Sequence, residues 1–340
     1  MPMINPFTTD GFSLVALTDA INVIPNMYGK TNELGLFTEK GVRTRTVIVD
    51  EKDGVLNLLP TRPVGAPGTE AIKGRRKVRS FVIPHIPHED AILPEETQGL
   101  RAFGSENELE ALETLVAERL ETARRKHDIT LENLRMGALR GQILDADGSV
   151  IYDLFQEFGL QQNVVNFQFS SNAFDVKTAV LNVKRYMELH LLGEVMREVH
   201  CLCAPDWFDA FTRHPDVITA FQFFQHTDLP NQTLDSDNRR NFRYAGVTFE
   251  EYLGHASDGD GVDHVFVPEG SAIFFPLGTM TTFRTWFAPA DFNETVNTVG
   301  LPIYAKLEPR KFNRGMDLHT QSNPLPMCLR PALLTKATRS

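Results

Sequence analysis

The chain has 340 residues, 42% of them hydrophobic, and a formal net charge of −10. That length and apolar content support one large or two ordinary domains with cores of their own. The acidic total argues against a sequence-specific DNA binder, which carries a basic footprint, and no apolar run reaches the roughly 18 residues of a membrane-spanning helix.

In chain order, residues 1–40 read as an arm. Within it TDGFSLVALTDAINVIP allows one short amphipathic helix, with Leu14, Leu17 and Ile21 on a shared face and Pro25 closing it. Gly29 and Gly35 then break regular structure. RTVIVDEKDGVLNLL reads as two short strands joined through Asp53-Gly54, a dipeptide favoured in hairpin turns. PTRPVGAPGTEAIKGRRK follows, and its prolines and glycines leave little to pack a core. It ends in the basic cluster Lys73, Arg75, Arg76 and Lys77, and the strand VRSFVI comes next. Residues 42–83 together read as a long projecting loop on a β base, and loops of that length are functional or disordered.

The strongest helical signal covers 105–139. Ser105 and Glu108 have capping-box spacing. Leu109, Leu112, Val116, Leu120, Ala123, His127, Leu131, Leu134 and Ala138 recur at steps of three and four on one face. Glutamates cluster at the start and arginines towards the end, which suits the helix dipole, and Gly141 is a natural stop. Unbroken, this helix would be about 50 Å long, with Asp128-Ile129-Thr130 as its weakest stretch and a place for a kink.

Beyond it, ILDADGSVIYDLF reads as a hairpin around Asp147-Gly148, and DVKTAVLNVKRYMELHLL as a helix. REVHCLC reads as a buried strand, PDWFDAFTRHPDVITAFQFF as helical, and strands dominate from Asn241 onward. The class is α+β. The absence of regular βαβ alternation argues against dinucleotide-binding and barrel folds.

Candidate chemistry is thin. His85 and His88 in HIPHED have metal-ligand spacing for a helix, but Pro84 and Pro87 forbid a helix there, and a site needs several convergent ligands. His200-Cys201-Leu202-Cys203 has no second cysteine pair. On a strand, Cys201 and Cys203 share one face and read as small buried hydrophobes. The three cysteines, with Cys328, form no disulfide framework and fit a reducing compartment. SDGDGVDHVFVPEG counts like a calcium loop from Asp258 to Glu269, but Asp263 stands where glycine is required, and a polar hairpin tip is the better reading. MPMINPFTTDGFSL shows no signal peptide, so the chain is expected in the cytoplasm when made. No catalytic, cofactor or metal site is expected. The four basic residues Lys73, Arg75, Arg76 and Lys77 are the candidate inter-subunit contact.

An ordered set of segments carries a resemblance. They are LTDAINVIP, ELGLF, GVRTRTVIVDEKDGVLNLL, GRRKVRSFVIPHIP, MGALRGQILDADGSVIYD, RRNFRYAGVTFEEYLG, FAPADFNETVNTVGLPIYAKLEP and SNPLPMCLRPALL. Through them the chain resembles the lambda-type major capsid proteins of tailed bacteriophages, the capsid protein E family. The resemblance implies the Hong Kong 97 capsid fold, with an N-terminal arm (1–40) and an extended loop (41–90). A spine helix with the peripheral domain (91–171), an axial domain (172–310) and a C-terminal return to the peripheral domain (311–340) would follow. It further implies self-assembly as hexamers and pentamers into an icosahedral shell around DNA, made in the host cytoplasm and carried in the virion. Scaffolding protein, portal and a decoration protein are the implied partners, with no membrane. QSNPLPMCLRP would be a closing strand whose prolines keep a sheet edge from recruiting strands. Two other readings stay open at this point: an encapsulin-type cellular compartment, which shares the fold but encloses enzymes, and a metal-dependent enzyme built on His85, His88 or the HCLC stretch.

Overall fold

The computed structural model describes residues 12–26, 28–52, 76–96, 108–225 and 242–340. Contacts divide the chain into two compact units, each assembled from separated stretches.

The first unit comprises residues 1–47, 82–134 and 284–327. Helix α1 (Leu14–Val23) starts at Ser13, whose hydroxyl accepts a hydrogen bond from the Ala16 amide at 3.3 Å. The expected face is there, with Leu17 and Ile21 buried, and Thr18 is buried beside them. They pack with Val116, Leu120 and Ala123 of the long helix against Ile303, Ala305, Met316 and Leu318. Those last residues line the antiparallel sheet of β4 (Ile86–Ile92), β15 (Tyr304–Pro309) and β16 (Met316–Ser322), ordered β15-β16-β4. Asn22 ties α1 down by donating to the carbonyls of Thr18 and Ile303, both at 2.8 Å.

The stretch read as an irregular arm is therefore ordered on its own chain from Phe12 onward. A short helix, α2 (Lys30–Glu33), lies between Gly29 and Gly35. Thr31, fully buried within it, donates through its amide (3.1 Å) and its hydroxyl to Glu132, which is only 2% exposed. β1 (Thr38–Gly41) then runs parallel to β14 (Phe283–Phe287) in a second sheet, ordered β1-β14-β17, where β17 is Pro324–Cys328.

The long helix, α3, runs Glu108–Arg140 without a break. Val116, Leu120, Ala123, His127, Leu131, Leu134 and Ala138 of the expected stripe are all buried. Ser105 of the expected cap lies outside the described residues. The expected weak point is not a kink, because Asp128 is buried in an ion pair with Arg124 one turn back, at 3.0 Å. Gly141 ends the helix at φ +83, as a left-handed stop requires.

The second unit comprises residues 48–81, 135–283 and 328–340. Its centre is a six-stranded mixed sheet. The order is β7 (Asn163–Phe167), β18 (Thr335–Arg339), β13 (Ser271–Leu277), β8 (Glu198–Cys203), β10 (Val247–Glu251) and β9 (Phe242–Tyr244). β13 is buried along its whole length, so it shows none of the alternation of a half-exposed strand. Pro276 is tolerated there because β18 pairs only with Ser271–Phe274, which leaves the proline beyond that strand's reach. The aromatic core joins Trp207 and Phe211 to Phe167, Phe249 and Phe274, with the Phe211 and Phe249 rings 4.4 Å apart. The stretch read as helical over 205–224 forms two helices, Pro205–Arg213 and Pro215–Gln225. His214 between them is extended (ψ 135), as a residue before proline prefers. The helix expected over 175–192 spans Val176–His190. Two hairpins stand where their turn residues place them: β5 (Gln142–Leu144) with β6 (Val150–Asp153), and β11 (His255–Ser257) with β12 (Asp263–Val265).

Candidate functional site

β2 (Thr46–Lys52) pairs with β3 (Arg76–Val82), and the turn expected at Asp53-Gly54 lies outside the described residues. The second strand expected at 55–59 lies outside the described residues. So do Lys73 and Arg75, while Arg76 and Lys77 open β3. The ribbon has two unlike faces, which alternation along the strand produces. One face packs: Phe81 lies edge-on to Tyr152 at 5.3 Å and stacks with Phe158 at 6.3 Å, and the Arg79 guanidinium sits 4.7 Å from the Phe158 centroid. The other leaves Ile48 67% and Val78 62% exposed.

The long helix carries a polar seam within the first unit. His127 is buried and shares a hydrogen bond with the Thr320 hydroxyl at 3.1 Å. Burial first, then the positive charge of His88, Arg124, His319 and Lys126, pushes its pKa down to about 3, so the ring is neutral. His88 lies across from it, ring centroids 6.4 Å apart, and meets the Lys126 ammonium at 3.2 Å. Burial and that ammonium also lower the His88 pKa. A polar cavity of about 300 Å³ opens beside the seam, lined by Asn22, Asn32, Glu39, Arg124 and His127 among others.

The residues weighed for chemistry are occupied elsewhere. His85 shares a hydrogen bond with the Asn323 side-chain oxygen at 2.7 Å, apart from His88. Cys201 and Cys203 lie on one face of β8, sulfurs 3.5 Å apart, fully buried. Burial first, then the neighbouring thiol, holds the Cys201 pKa well above the usual thiol range, and burial takes Cys328 to about 12. All three thiols are fully buried, which shields them from reagents in solvent. His200 meets Glu250 at 3.2 Å, both buried. Asp258 spends its carboxylate on its own hairpin, accepting from the amides of Asp260 (2.9 Å) and Val262 (2.8 Å) and meeting His264 at 3.1 Å. Among the described residues no three or more His, Cys, Asp or Glu side chains converge as metal ligands.

β17 is at one edge of its sheet. The Asn323 carbonyl accepts from Ala288 at 3.0 Å and the Leu329 amide donates to Thr282 at 2.7 Å, so odd-numbered residues turn their backbone groups towards β14. Pro324 and Pro326 therefore aim their missing N–H at the open edge. One exposed residue escaped the sequence reading. Phe312 sits at the tip of the β15–β16 hairpin, and its only signal was a lone aromatic inside the cationic turn RKFNR.

This architecture is shared with a solved protein. The structure described as a prophage capsid protein from E. coli CFT073 matches with a TM-score of 0.60 over 96% of this chain and 99% of that one, at 13% identity. The fold is thus that of tailed-phage capsid proteins. The sequence profile of the phage major capsid protein E family matches residues 13–339, and the chain belongs to that family. The major capsid proteins of Pseudomonas phage KPP10 and Salmonella phage Felix O1 (isolate Felix O1-VT1) are each 29% identical to it. The matches cover 97% and 95% of this chain and 98% and 95% of theirs.

Proposed function

We infer that the chain is the major subunit of a phage head, assembling with copies of itself as hexamers and pentamers into a closed icosahedral shell around DNA. The family match over 13–339 carries this reading. The division of labour follows the family: residues 1–40 as arm, 41–90 as extended loop, 91–171 as spine helix and peripheral domain, 172–310 as axial domain and 311–340 as the return. Within the described arm, Val15 and Val23 remain exposed and are available to a neighbouring subunit. Lys73, Arg75, Arg76 and Lys77 are proposed to meet a neighbouring subunit's acidic surface, and the uncovered face of the β2–β3 ribbon supports a contact at the loop base. Assembly takes place in the host cytoplasm with scaffolding protein and portal, and the reading leaves room for a decoration protein without requiring one. The net charge of −10 favours a shell that does not grip DNA, since phosphate contacts add affinity steeply. Negative-stain microscopy of the expressed chain, alone and with its scaffolding protein, tests the reading. Closed shells are expected, and a monodisperse monomer under all salt and concentration conditions would overturn it.

A further inference from the structure

On the long helix an exposed amine faces a base. The Lys126 ammonium meets His88 Nε2, on β4, at 3.2 Å. An ammonium can only donate, so Nε2 is the accepting nitrogen and the ring proton sits on Nδ1. Burial first, then that ammonium, lowers the His88 pKa, which keeps the ring neutral and able to take a proton. Lys30 and Lys306 are held differently: each gives its ammonium to a carboxylate at 3.0 Å, Glu33 and Glu294 respectively. A carboxylate favours the charged amine, whereas a neutral imidazole adds no charge and can receive the proton. The base is itself held in place. The Thr320 hydroxyl donates to the His88 carbonyl at 3.3 Å and shares a hydrogen bond with His127 Nε2 at 3.1 Å. Lys126 also lines a groove of about 580 Å³. Ile24, Pro25 and Ile129 give the groove an apolar wall. Arg124 and Arg125 line it too, and its two carboxylates, Asp128 and Glu121, are each paired with one of those arginines. Three cations against two carboxylates leave one positive charge over.

We propose that Lys126 is a modification site, acylated by small acyl phosphates that the groove receives, with His88 as the base. The positive balance suits an anionic donor, and the apolar wall suits its acyl chain. Lys126 first sheds one proton to solvent. Its nitrogen then bonds to the acyl carbon and passes a second proton to His88 Nε2. The bond from that carbon to the phosphate oxygen breaks, phosphate leaves with the electron pair, and His88 returns its proton to water. The product amide carries no charge, so the long helix loses a cation. That removes one of the positive charges that lower the His88 and His127 pKa values. The site is complete within one subunit, so it does not depend on how copies assemble.

The test incubates the full chain with acetyl phosphate and follows the acetylation rate of each lysine by peptide mass spectrometry. Lys177 and Lys311, both exposed and in no ion pair among the described residues, are the references. Lys126 should be acetylated about tenfold faster than either, a fraction of what a positioned base contributes in an enzyme. His88→Gln keeps an oxygen to accept from the ammonium but takes up no proton, and it should bring Lys126 down to the reference rate. His88→Leu should do the same. Arg125→Gln should slow acetylation by acetyl phosphate more than acetylation by the uncharged ester p-nitrophenyl acetate. Circular dichroism and melting temperature check that each variant folds as wild type. Equal rates at Lys126, Lys177 and Lys311 in wild type would overturn the proposal. So would a folded His88→Gln chain in which Lys126 stays fast, since the ring would then only position the amine. Equal slowing of both donors by Arg125→Gln, or none, would overturn the groove as the seat of the donor. If both His88 variants melt early, the wild-type rates and Arg125→Gln decide.

Discussion

Gly300 has no side chain because three backbones meet there. A Cβ on it would lie 2.0 Å from the Phe287 carbonyl oxygen, and one on Gly41 would lie 2.3 Å from the Gly300 carbonyl oxygen. The Gly300 amide donates to Val42 at 2.9 Å, so the approach cannot open without losing a hydrogen bond. Gly300→Ala should therefore destabilise the subunit by about 1–3 kcal/mol or more, read as a lower melting temperature; an unchanged melt would mean that the backbone yields freely. His127 sets a pH dependence. Its folded pKa of about 3 lies below the ordinary histidine value of 6.5, so the unfolded chain takes up a proton that the folded chain refuses. The stabilisation is intact above pH 6.5 and drains away as pH falls towards 3, by up to about 1.4 kcal/mol per pH unit. The carboxylates of Asp90 and Asp128 are too few to offset the cations around the ring. His127→Gln, which keeps a partner for Thr320 but cannot titrate, should flatten the fall in urea midpoint between pH 6.5 and 4.5. An unaltered slope would assign that dependence to other groups.

At the scale of elements, the long helix was the most legible part of the sequence. A nine-position stripe at helical period leaves one face for burial, and every described member of it is buried. Leu120→Asp should therefore give insoluble or molten subunits, since an unpaired buried carboxylate costs several kcal/mol, comparable with a domain's whole stability. Native-like soluble Leu120→Asp protein would show the wrong face had been chosen. The stretch after α1 was illegible for a physical reason. Thr31 is held by Glu132, 101 positions away, and such a pair leaves no periodicity to read. The extended loop tests separately. Residues 62–76 contain only Val64 and Ile72 as large apolar side chains, and closure entropy changes slowly with loop length. Replacing them with a Gly/Ser linker should leave the circular dichroism spectrum and most of the melting temperature intact while shells fail to form; wild-type shells would remove the loop from the assembly contacts.

For the whole molecule, what the sequence concealed was strand order. The neighbours β7-β18-β13-β8-β10-β9 come from five separate stretches of the chain, and strands buried on both faces carry no sign of which partner they take. The resemblance supplied the architecture that local pattern could not. It also frames a test on intact assemblies. Trypsin should cut free subunits within residues 60–77, where basic residues sit among prolines and glycines, and should spare them in finished shells. Equal cleavage in both states would leave the loop without a neighbour to shield it. The place of β18 has a further consequence, in the timing of synthesis. It alone joins β7 to β13, in parallel with one and antiparallel to the other, and the ribosome makes it after both. Until it emerges, the sheet is two fragments with unsatisfied edges, dependent on contacts far apart in sequence that form slowly. A polysome crowded with half-made chains thus holds no finished second unit. A chain that stops before Thr335 therefore lacks the strand that joins β7 to β13 and leaves this sheet in two pieces.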